Sequence, residues 1–366
     1  MKILYVITLG TWGGAQSHLY SLIKDQIARN NEVSLVVGEK GDLTTKIAEN
    51  LPQVKILRLK TLQRNVSVTK IISSIYRLRK IIKSENPQIV HLHSTMAGII
   101  GRLAATNLKK PVIFTVHGWA FTEGASKKRQ FFAKIVEKLL APLTSCYLCV
   151  SKYDYNLGLK KGILKNTKAY VILNGVKDNG RDNSYPEKIK ESKFIITMAA
   201  RFSNQKNQLM LIRAIRNLNN KNVNLVLLGD GPNISQCKQY VSMNNMEDVV
   251  QFIGKVNDVT PYYRKSNVIA LISNYEGLPV SLIEALPIGK PIIASNVGGV
   301  SELFDGNGIC VENKVSLISS SIVKIMRNSD MEREMGIKSR KLYKNQFTET
   351  GMTEKINNVY IEMFKK

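Results

Sequence analysis

Glu276 and Glu284 are the residues whose type and spacing most clearly suggest chemistry. Seven residues separate them in the stretch SNYEGLPVSLIEALPIGKPIIASNVGGVSEL. A tight Gly-Leu-Pro loop follows Glu276, and the apolar run from Val280 predicts a helix that contains Glu284, roughly two turns along. The amino end of such a helix has free N–H groups and a positive dipole, which suit a diphosphate. Carboxylates only accept hydrogen bonds, so the pair suits the hydroxyls of a sugar and a ribose.

Cations and glycines in two other loops suggest further phosphate contacts. Arg201 and Lys206 follow a predicted strand in AARFSNQKN. An arginine fork and a lysine charge would neutralise the negative charge that develops on a departing diphosphate. Gly13 and Gly14, in GTWGGAQ, permit close backbone approach to a phosphate. Together with Gly10 they do not fit the G-x-G-x-x-G pattern of dinucleotide-binding loops.

These motifs resemble those of retaining GT-B glycosyltransferases, specifically glycosyltransferase family 4. That family has two glutamates separated by seven residues and then a Gly-Gly loop, here Gly298 and Gly299. The resemblance implies that Glu276 orients the donor sugar and that Glu284 holds the ribose. It also implies a donor site that includes the glycine loop, the two cations and the following residues: Gly13, Gly14, Arg201, Lys206, Gly254, Val256, Gly277, Leu278 and Pro279.

The resemblance further implies that His117, in FTVHGW, lies near the donor sugar as a catalytic residue. This chain departs from the family pattern at two positions. Gln16 replaces the glutamate of the usual Gly-Gly-x-Glu loop, and Lys177 replaces the aspartate of the usual N-G-V-D turn. A role for the side chain at position 16 is therefore in doubt, whereas the second turn is mostly structural in the family.

The sequence predicts no metal and no cofactor. No Asp-x-Asp motif occurs, so the resemblance implies that cationic side chains stabilise the leaving group. His91 and His93 point to the same face of a strand, but without a nearby acidic or cysteine partner they predict no metal site. We expect His93 to face the acceptor and His91 to be structural, whereas His18 is uninformative. Cys146 and Cys149 point to opposite faces of a strand, so they are predicted to be core residues.

The elements that position these residues predict an α/β protein of GT-B fold, with two doubly wound Rossmann-like domains facing across a deep cleft. Short β-like runs alternate with helical patterns in each half, which indicates parallel sheets with crossover helices. We predict an acceptor-binding domain over residues 1–176, a linker over 177–192 and a nucleotide-sugar domain over 193–350. The helix over 351–366 is expected to cross back to the first domain.

Predicted strands of the first half are Lys2–Thr8, Val33–Val37, Ile56–Leu59, Ile89–His93, Val112–His117, Cys146–Val150 and Ala169–Leu173. Its predicted helices include Ala15–Asn30, Val68–Ser84, Met96–Asn107 and Arg129–Leu140. Predicted strands of the second half are Phe194–Ala199, Asn224–Gly229, Val249–Ile253, Val268–Ile272, Pro291–Ser295 and Gly308–Val311. Its predicted helices are Gln208–Leu218, Ile234–Met243, Val259–Lys265, the one after Pro279 and further C-terminal helices.

The net charge of +25 is concentrated in the first half of the chain. Residues 1–175 contain 27 Lys and Arg against 9 Asp and Glu, whereas the rest contains 26 against 19. This excess suggests a membrane surface, a diphosphate lipid or a nucleic acid as partner, or lysine used simply for solubility. One basic cluster joins Lys127, Lys128 and Arg129 to Phe131 and Phe132, and another spans residues 70–83.

A basic amphipathic helix either lies on an anionic membrane or packs on the core with a solvated polar face. The family resemblance favours a membrane or acceptor role for the first cluster, because many relatives act on lipid-linked acceptors. The chain contains no convincing signal peptide and no apolar stretch of the ~18 residues that a membrane span needs. We therefore predict a cytoplasmic enzyme that associates peripherally with the inner face of the cell membrane.

The sequence thus predicts a retaining transferase that moves a sugar from a nucleotide sugar to a polyprenyl-diphosphate-linked saccharide in capsular or exopolysaccharide biosynthesis. A UDP-sugar is favoured over GDP-mannose, with UDP-N-acetylhexosamine as one possibility. One alternative is an enzyme like UDP-N-acetylglucosamine 2-epimerase, which needs no acceptor; the EGLPVSLIE pattern opposes it. Another is a basic nucleic-acid-binding protein, but no binding module is recognisable, so nucleic acid is not expected as a partner.

Overall fold

Two α/β units, each with its own parallel sheet, make up the chain. The computed structural model describes residues 1–63, 67–124, 126–180 and 193–365. Unit 1 consists of Met1–Gly175 together with Glu349–Lys366, and unit 2 consists of Val176–Thr348. Most of the stretch predicted to be a linker, residues 181–192, lies outside the described residues.

Unit 1 contains a parallel sheet with the order β3-β2-β1-β4-β5-β6-β7. Its strands are β1 (Lys2–Leu9), β2 (Glu32–Glu39), β3 (Lys55–Arg58), β4 (Ile89–His93), β5 (Val112–Val116), β6 (Cys146–Cys149) and β7 (Ala169–Val171). Its helices are α1 (Gly14–Ala28), α2 (Asp42–Asn50), α3 (Val68–Glu85), α4 (Thr95–Ala105), α5 (Lys127–Leu140) and α6 (Lys152–Lys160).

Strand β1 shows why the strands of the unit 1 sheet have continuous apolar sequences. Leu4 and Val6 pack into a core on one face of the sheet, whereas Ile3, Tyr5 and Ile7 pack into a second core on the other. A central strand covered on both faces buries every side chain, so its sequence shows no alternation of polar and apolar residues. The same two cores contain Cys149 and Cys146 respectively, so these cysteines point to opposite faces as predicted.

The C-terminal helix α13 (Glu349–Phe364) belongs to unit 1. Met352, Ile356 and Tyr360 pack into the core that contains Tyr5. The hydroxyls of Tyr360 and Tyr5 lie 3.1 Å apart, and the Tyr360 hydroxyl also lies 2.6 Å from Nδ1 of His91. Helix α13 therefore completes one face of the unit 1 sheet.

Unit 2 contains a second parallel sheet with the order β10-β9-β8-β11-β12-β13. Its strands are β8 (Phe194–Ala199), β9 (Val223–Leu228), β10 (Val250–Gly254), β11 (Val268–Leu271), β12 (Ile292–Ser295) and β13 (Gly308–Val311). Its helices are α7 (Gln208–Leu218), α8 (Ile234–Met243), α9 (Thr260–Lys265), α10 (Val280–Ile283), α11 (Val315–Met326) and α12 (Ser329–Gln346), with a 3-10 stretch over Gly298–Leu303.

All the predicted strands are present, with bounds that agree to about two residues. Helices α2 and α6, each nine residues long, were not predicted. Buried Leu43, Thr44 and Ile47 give α2 only a short apolar side, and α6 is largely polar with a glycine near its end. Short helices with so few apolar residues have little periodicity to reveal them.

Helix α5 is attached to the rest of unit 1 by a buried ion pair. The guanidinium of Arg102, in α4, donates hydrogen bonds of 2.8 and 3.0 Å to the carboxylate of Glu137 in α5, and another of 3.1 Å to the Tyr147 hydroxyl. Arg102 is fully buried, and Glu137 is only 3% exposed. Two charges removed from water require this close pairing.

We expect Arg102→Met to lower the free energy of unfolding of unit 1 by about 3–5 kcal/mol, because it leaves the Glu137 carboxylate buried without its cation. Urea denaturation followed by circular dichroism measures the loss. Arg333→Met, at an exposed position, is the control. Adding Glu137→Leu should restore much of the stability. If the double variant is as unstable as Arg102→Met, the ion pair is not the cause.

Candidate functional site

The loops that follow β8 and β11 meet at the carboxyl edge of the unit 2 sheet. Strands β8, β9 and β10 are added in turn toward one side of the parallel sheet, and β11, β12 and β13 are added toward the other side. The order of the strands therefore reverses between β8 and β11. The Asn207 N–H donates to the Ile272 carbonyl at 2.8 Å, and the Asn274 N–H donates to the Gln205 carbonyl at 2.8 Å. Doubly wound sheets bind ligands at such reversal points.

Lys206 and Glu276 form an ion pair at this reversal point. Nζ of Lys206 donates to Oε1 of Glu276, and the Gln205 side chain lies 3.4 Å from the other carboxylate oxygen. Glu276 is 6% exposed and Lys206 is partly exposed. The sequence predicted both residues near a donor but did not predict that they pair. The pair fixes the direction of the carboxylate and gives it the cation that burial requires.

The Gly-Gly loop packs directly on the backbone of this carboxylate. A Cβ on Gly298 would lie 1.9 Å from the Glu276 carbonyl oxygen, and the residue has a φ of +56°. The Gly299 N–H donates to the Gly277 carbonyl at 3.0 Å. Position 298 therefore has to be glycine, because a side chain would push the loop away from Glu276.

Arg201 is exposed in the loop after β8, and the glycine-rich turn LLGDGP supports this loop from one side. A Cβ on Gly229 would lie 2.3 Å from the Ala200 carbonyl oxygen, so the two loops approach closely. The Phe202 N–H donates to the Asp230 carbonyl at 3.0 Å. These contacts leave the Arg201 side chain exposed at the same sheet edge as Glu276.

The next loop along this edge contains Gly254 and Val256. Gly254 ends β10 with a φ of +85°, and its carbonyl accepts a hydrogen bond of 2.7 Å from the Gly229 N–H. A Cβ on Gly254 would meet no atom within 4 Å, so the glycine is required by its backbone conformation and not by crowding. Val256, two residues later, is half-buried.

The sequence predicted that Glu284 lies about two turns along a helix, and this prediction is wrong. Helix α10 has only four residues after the buried Leu278 and Pro279, and Glu284 is its C-cap. The chain then continues in turns, in which the Ala285 N–H donates to the Leu282 carbonyl at 3.1 Å. One turn sums few peptide dipoles, so most of the positive charge for an anion has to come from side chains.

Glu284 is half-buried, and its charge acts on the buried Tyr263. Burial, and secondly the negative charge of Glu284, raise the pKa of Tyr263 well above its ordinary range. The Tyr263 hydroxyl donates to the Ser281 carbonyl at 3.1 Å, which ties α9 to the helix that presents Glu284. This hydrogen bond connects the two segments that contain Tyr263 and Glu284.

The glycine loop of unit 1 follows β1. Gly13 is the N-cap of α1 in an extended conformation, and the Ser17 N–H donates to its carbonyl at 2.9 Å. Gln16, which stands where the family has glutamate, donates from its amide to the Leu9 carbonyl at 3.0 Å. Its side chain therefore stabilises the turn, a task that a carboxylate could not perform because it lacks a donor.

All four histidines of the chain lie together in unit 1. His91 bonds the Tyr360 hydroxyl at 2.6 Å and the Thr115 hydroxyl at 2.7 Å, which gives it a structural place. Nδ1 of His93 lies 3.1 Å from Nε2 of His117, and the ring of His18 lies 5.0 Å from that of His117.

Burial lowers the pKa values of these imidazoles. The pKa of His18 falls to about 4, although the Asn174 side chain partly opposes this effect. Burial and the neighbouring histidines lower the pKa of both His93 and His117 well below the ordinary range. The rings are therefore neutral near pH 7. Sequence reasoning did not predict this cluster, because His18 is far from the other histidines along the chain.

Helix α5 presents a surface that we call the basic–aromatic face, formed by Lys127, Lys128, Arg129, Phe131 and Phe132. The three basic residues are exposed, and the two phenylalanines are 62% and 66% exposed. The two phenyl rings lie edge to face with centroids 5.8 Å apart, so they form one exposed aromatic patch beside the basic residues.

The other basic helix, α3, packs on the core. Ile71, Ile75, Leu78 and Ile82 contact the unit 1 core, as their spacing predicted. Arg79 donates to the Ala104 and Thr106 carbonyls at the end of α4, so it caps that helix. Of the two readings left open for this helix, the structure supports the core helix. Among the described residues, no helix is long and apolar enough to cross a membrane.

Comparisons with known proteins agree with this architecture. Residues 12–179 match Glycosyltransferase Family 4, and residues 181–342 match Glycosyl transferases group 1. One relative is the UDP-Gal:alpha-D-GlcNAc-diphosphoundecaprenol alpha-1,3-galactosyltransferase of Escherichia coli, which is 30% identical. The alignment covers 99% of this chain and 97% of that enzyme. The capsular polysaccharide biosynthesis glycosyltransferase CapM of Staphylococcus aureus is 23% identical, and the alignment covers 100% of this chain and 98% of CapM.

Among solved structures, the Anabaena protein HepE in complex with UDP-glucose superposes with a TM-score of 0.83 at 19% identity. The alignment covers 99% of this chain and 100% of that one. This similarity shows the GT-B fold, with two Rossmann-like parallel-sheet domains. The chain belongs to glycosyltransferase family 4 of the group 1 glycosyltransferases, and it is a glycosyltransferase.

Proposed function

We propose that the protein is a retaining glycosyltransferase that moves a hexose or N-acetylhexosamine from a UDP-sugar to a hydroxyl of a polyprenyl-diphosphate-linked saccharide. The observation that carries this proposal is the Lys206–Glu276 ion pair at the reversal point of the unit 2 sheet. The Escherichia coli relative, by its name, uses UDP-Gal and a diphosphoundecaprenol acceptor, and HepE was solved with UDP-glucose. Both support a UDP-sugar donor.

In this proposal the donor is held by residues of unit 2. Glu276 accepts hydrogen bonds from the sugar hydroxyls, with its direction fixed by Lys206 and by the Gly298 loop. Glu284 accepts from the ribose hydroxyls. Arg201 is exposed and Lys206 is partly exposed beside Glu276, so both can neutralise the diphosphate. Gly254 and Val256 offer backbone groups to the base.

The transfer itself forms one bond and breaks one. The acceptor hydroxyl oxygen bonds to the anomeric carbon on the face from which UDP leaves, while the bond from that carbon to the phosphate oxygen breaks. The hydroxyl proton passes to a phosphate oxygen of the departing UDP, so no separate base is required. The catalytic role of His117 and the phosphate contacts of Gly13 and Gly14, all in unit 1, stay predictions.

A panel of UDP-Gal, UDP-Glc, UDP-GlcNAc, UDP-GalNAc and GDP-mannose tests the donor site. We expect one UDP-sugar to raise the melting temperature of the wild type, and Glu284→Ala to weaken its binding about tenfold or more, because a charged hydrogen-bond acceptor is lost. Glu276→Gln should instead lower the turnover number more than donor affinity.

Glu312→Ala, an exposed carboxylate of the same unit, is the matched control. If no nucleotide sugar stabilises the wild type, or if Glu312→Ala weakens binding as much as Glu284→Ala, the assigned donor site is wrong. Incubation without acceptor distinguishes the alternative reaction class, since only an epimerase would make a new UDP-sugar under that condition.

We further propose that the leaving group is stabilised without a metal ion. Transfer should persist in EDTA, because Arg201 and Lys206 supply the positive charge for the diphosphate. Arg201→Gln should reduce the turnover number about 10²–10³-fold, as expected when one preorganised donor to a developing charge is removed. The exposed Arg333→Gln serves as control. Loss of activity in EDTA that added Mg²⁺ restores would contradict this proposal.

The acceptor proposal rests on the basic–aromatic face. A pocket of about 200 Å³ beside it is lined by Phe121, Phe131, Lys127, Lys134 and Lys161. Lysines around an opening between aromatic rings suit the diphosphate of a lipid whose chain stays in the membrane. Because lipid-linked acceptors reside in a bilayer, we propose that α5 lies on the cytoplasmic face of the cell membrane.

Phe131→Ser combined with Phe132→Ser should weaken binding to vesicles of phosphatidylglycerol and phosphatidylcholine about tenfold or more. The reason is that two exposed phenyl rings no longer enter the interface. Co-sedimentation measures the bound fraction. Met243→Ser, at a 75% exposed position in unit 2, is the control. Equal binding by the double variant, or stronger retention on DNA than on vesicles, would count against the membrane role.

A further inference from the structure

The proposed function uses only His117 of three neighbouring histidines, and it leaves His18 and His93 unexplained. We call His18, His93 and His117 the imidazole triad. One ring nitrogen of each lies within 4.8 Å of one ring nitrogen of the other two. The three side chains come from α1, from the end of β4 and from the residue after β5. They therefore converge at the carboxyl edge of the unit 1 sheet from three separate elements.

The distances within the triad suit a common metal ion. Tetrahedral zinc has bonds of about 2.0–2.1 Å to histidine nitrogens, which places two ligand nitrogens roughly 3.3 Å apart. Nδ1 of His93 and Nε2 of His117 are 3.1 Å apart. The His18 nitrogen, which lies at most 4.8 Å away, needs only a small ring movement to reach the same centre.

A network of hydrogen bonds alone does not account for this arrangement. One N–H···N bond between His93 and His117 uses one proton and one lone pair. It leaves Nε2 of His93 with no hydrogen-bond partner among the described residues, although His93 is completely buried. Hydrogen bonds among the described residues therefore do not by themselves explain why the three rings are placed together.

The chemistry of the donors selects the class of ion. Three imidazoles with no carboxylate suit zinc, copper, nickel or cobalt, whereas magnesium and calcium require oxygen ligands. The basic excess of unit 1 repels loosely held dications, so only an ion bonded directly to nitrogen would remain.

We propose that the imidazole triad binds one divalent transition-metal ion of the zinc class through three nitrogens, with a fourth position open to a water or hydroxyl. Sites with three protein ligands and an open position are typical of exchangeable zinc. All three ligands belong to unit 1, whereas the residues proposed to bind the diphosphate belong to unit 2. Its existence does not depend on the proposed sugar transfer.

The test uses the untagged, full-length, metal-free protein, since a histidine tag would itself bind zinc. Isothermal titration with Zn²⁺ should give one site per chain, and titration with Mg²⁺ should give none. Co²⁺ should produce the visible d–d bands of a tetrahedral site without thiolate charge-transfer absorption. His93→Gln should weaken Zn²⁺ binding about 100-fold or more, because a ligand is lost together with its orienting contacts.

Two controls separate the triad from other zinc ligands. His91→Gln removes an imidazole from the same strand but none of the three ligands, and Cys310→Ser removes the half-buried thiol of unit 2. Both should keep wild-type affinity. If His93→Gln fails to fold by circular dichroism, His18→Gln replaces it. Absence of Zn²⁺ binding by the wild type, or unchanged affinity in the triad variant, would overturn the proposal.

Discussion

Every strand pairing in the described parts of both sheets is parallel, and this constraint decides where chemistry can occur. Parallel strands need crossover helices, which cover both faces of the sheet and leave only its edges open. The loops at the carboxyl edge are therefore where polar side chains can meet a ligand. Lys206 and Glu276 lie there in unit 2, and His93 and His117 lie there in unit 1.

Within unit 2, backbone and side-chain hydrogen bonds together hold this edge: the Gln205 side chain donates to the Tyr275 carbonyl at 2.9 Å, and the Asn274 side chain donates to the Asn204 carbonyl at 2.7 Å. Residues 205–207 pair with residues 272–274, and glycines at positions 229 and 298 let neighbouring loops touch. The ion pair of the buried Glu276 with Lys206 adds a further link between the loop after β8 and the loop after β11.

Much of the fold could be predicted because apolar runs such as KILYVITL reflect burial on both faces of a sheet. The glutamate motif could be recognised because its residues are close together in the sequence. The Lys206–Glu276 pair could not, since 70 residues separate the partners and only tertiary structure joins them. The imidazole triad was missed for the same reason, as His18 and His93 meet only once β1, β4 and α1 have assembled.

The extent of α10 shows a different limit. The run from Val280 to Leu286 is apolar except for Ser281 and Glu284, and burial of so short a segment needs no regular periodicity. The pattern therefore could not distinguish one helical turn from two. The chain leaves the helix after Ile283, and this early end moved Glu284 from the predicted helix interior to a cap.

Because helix α13 belongs to unit 1, the two units become complete at different times during synthesis. Unit 2 is one continuous segment, so all its strands have left the ribosome before α13 is made. Unit 1 begins first but lacks Met352, Ile356 and Tyr360 from its core until then. Its sheet therefore exposes an apolar surface while the whole of unit 2 is translated, and the earlier unit is the later one to reach its native state.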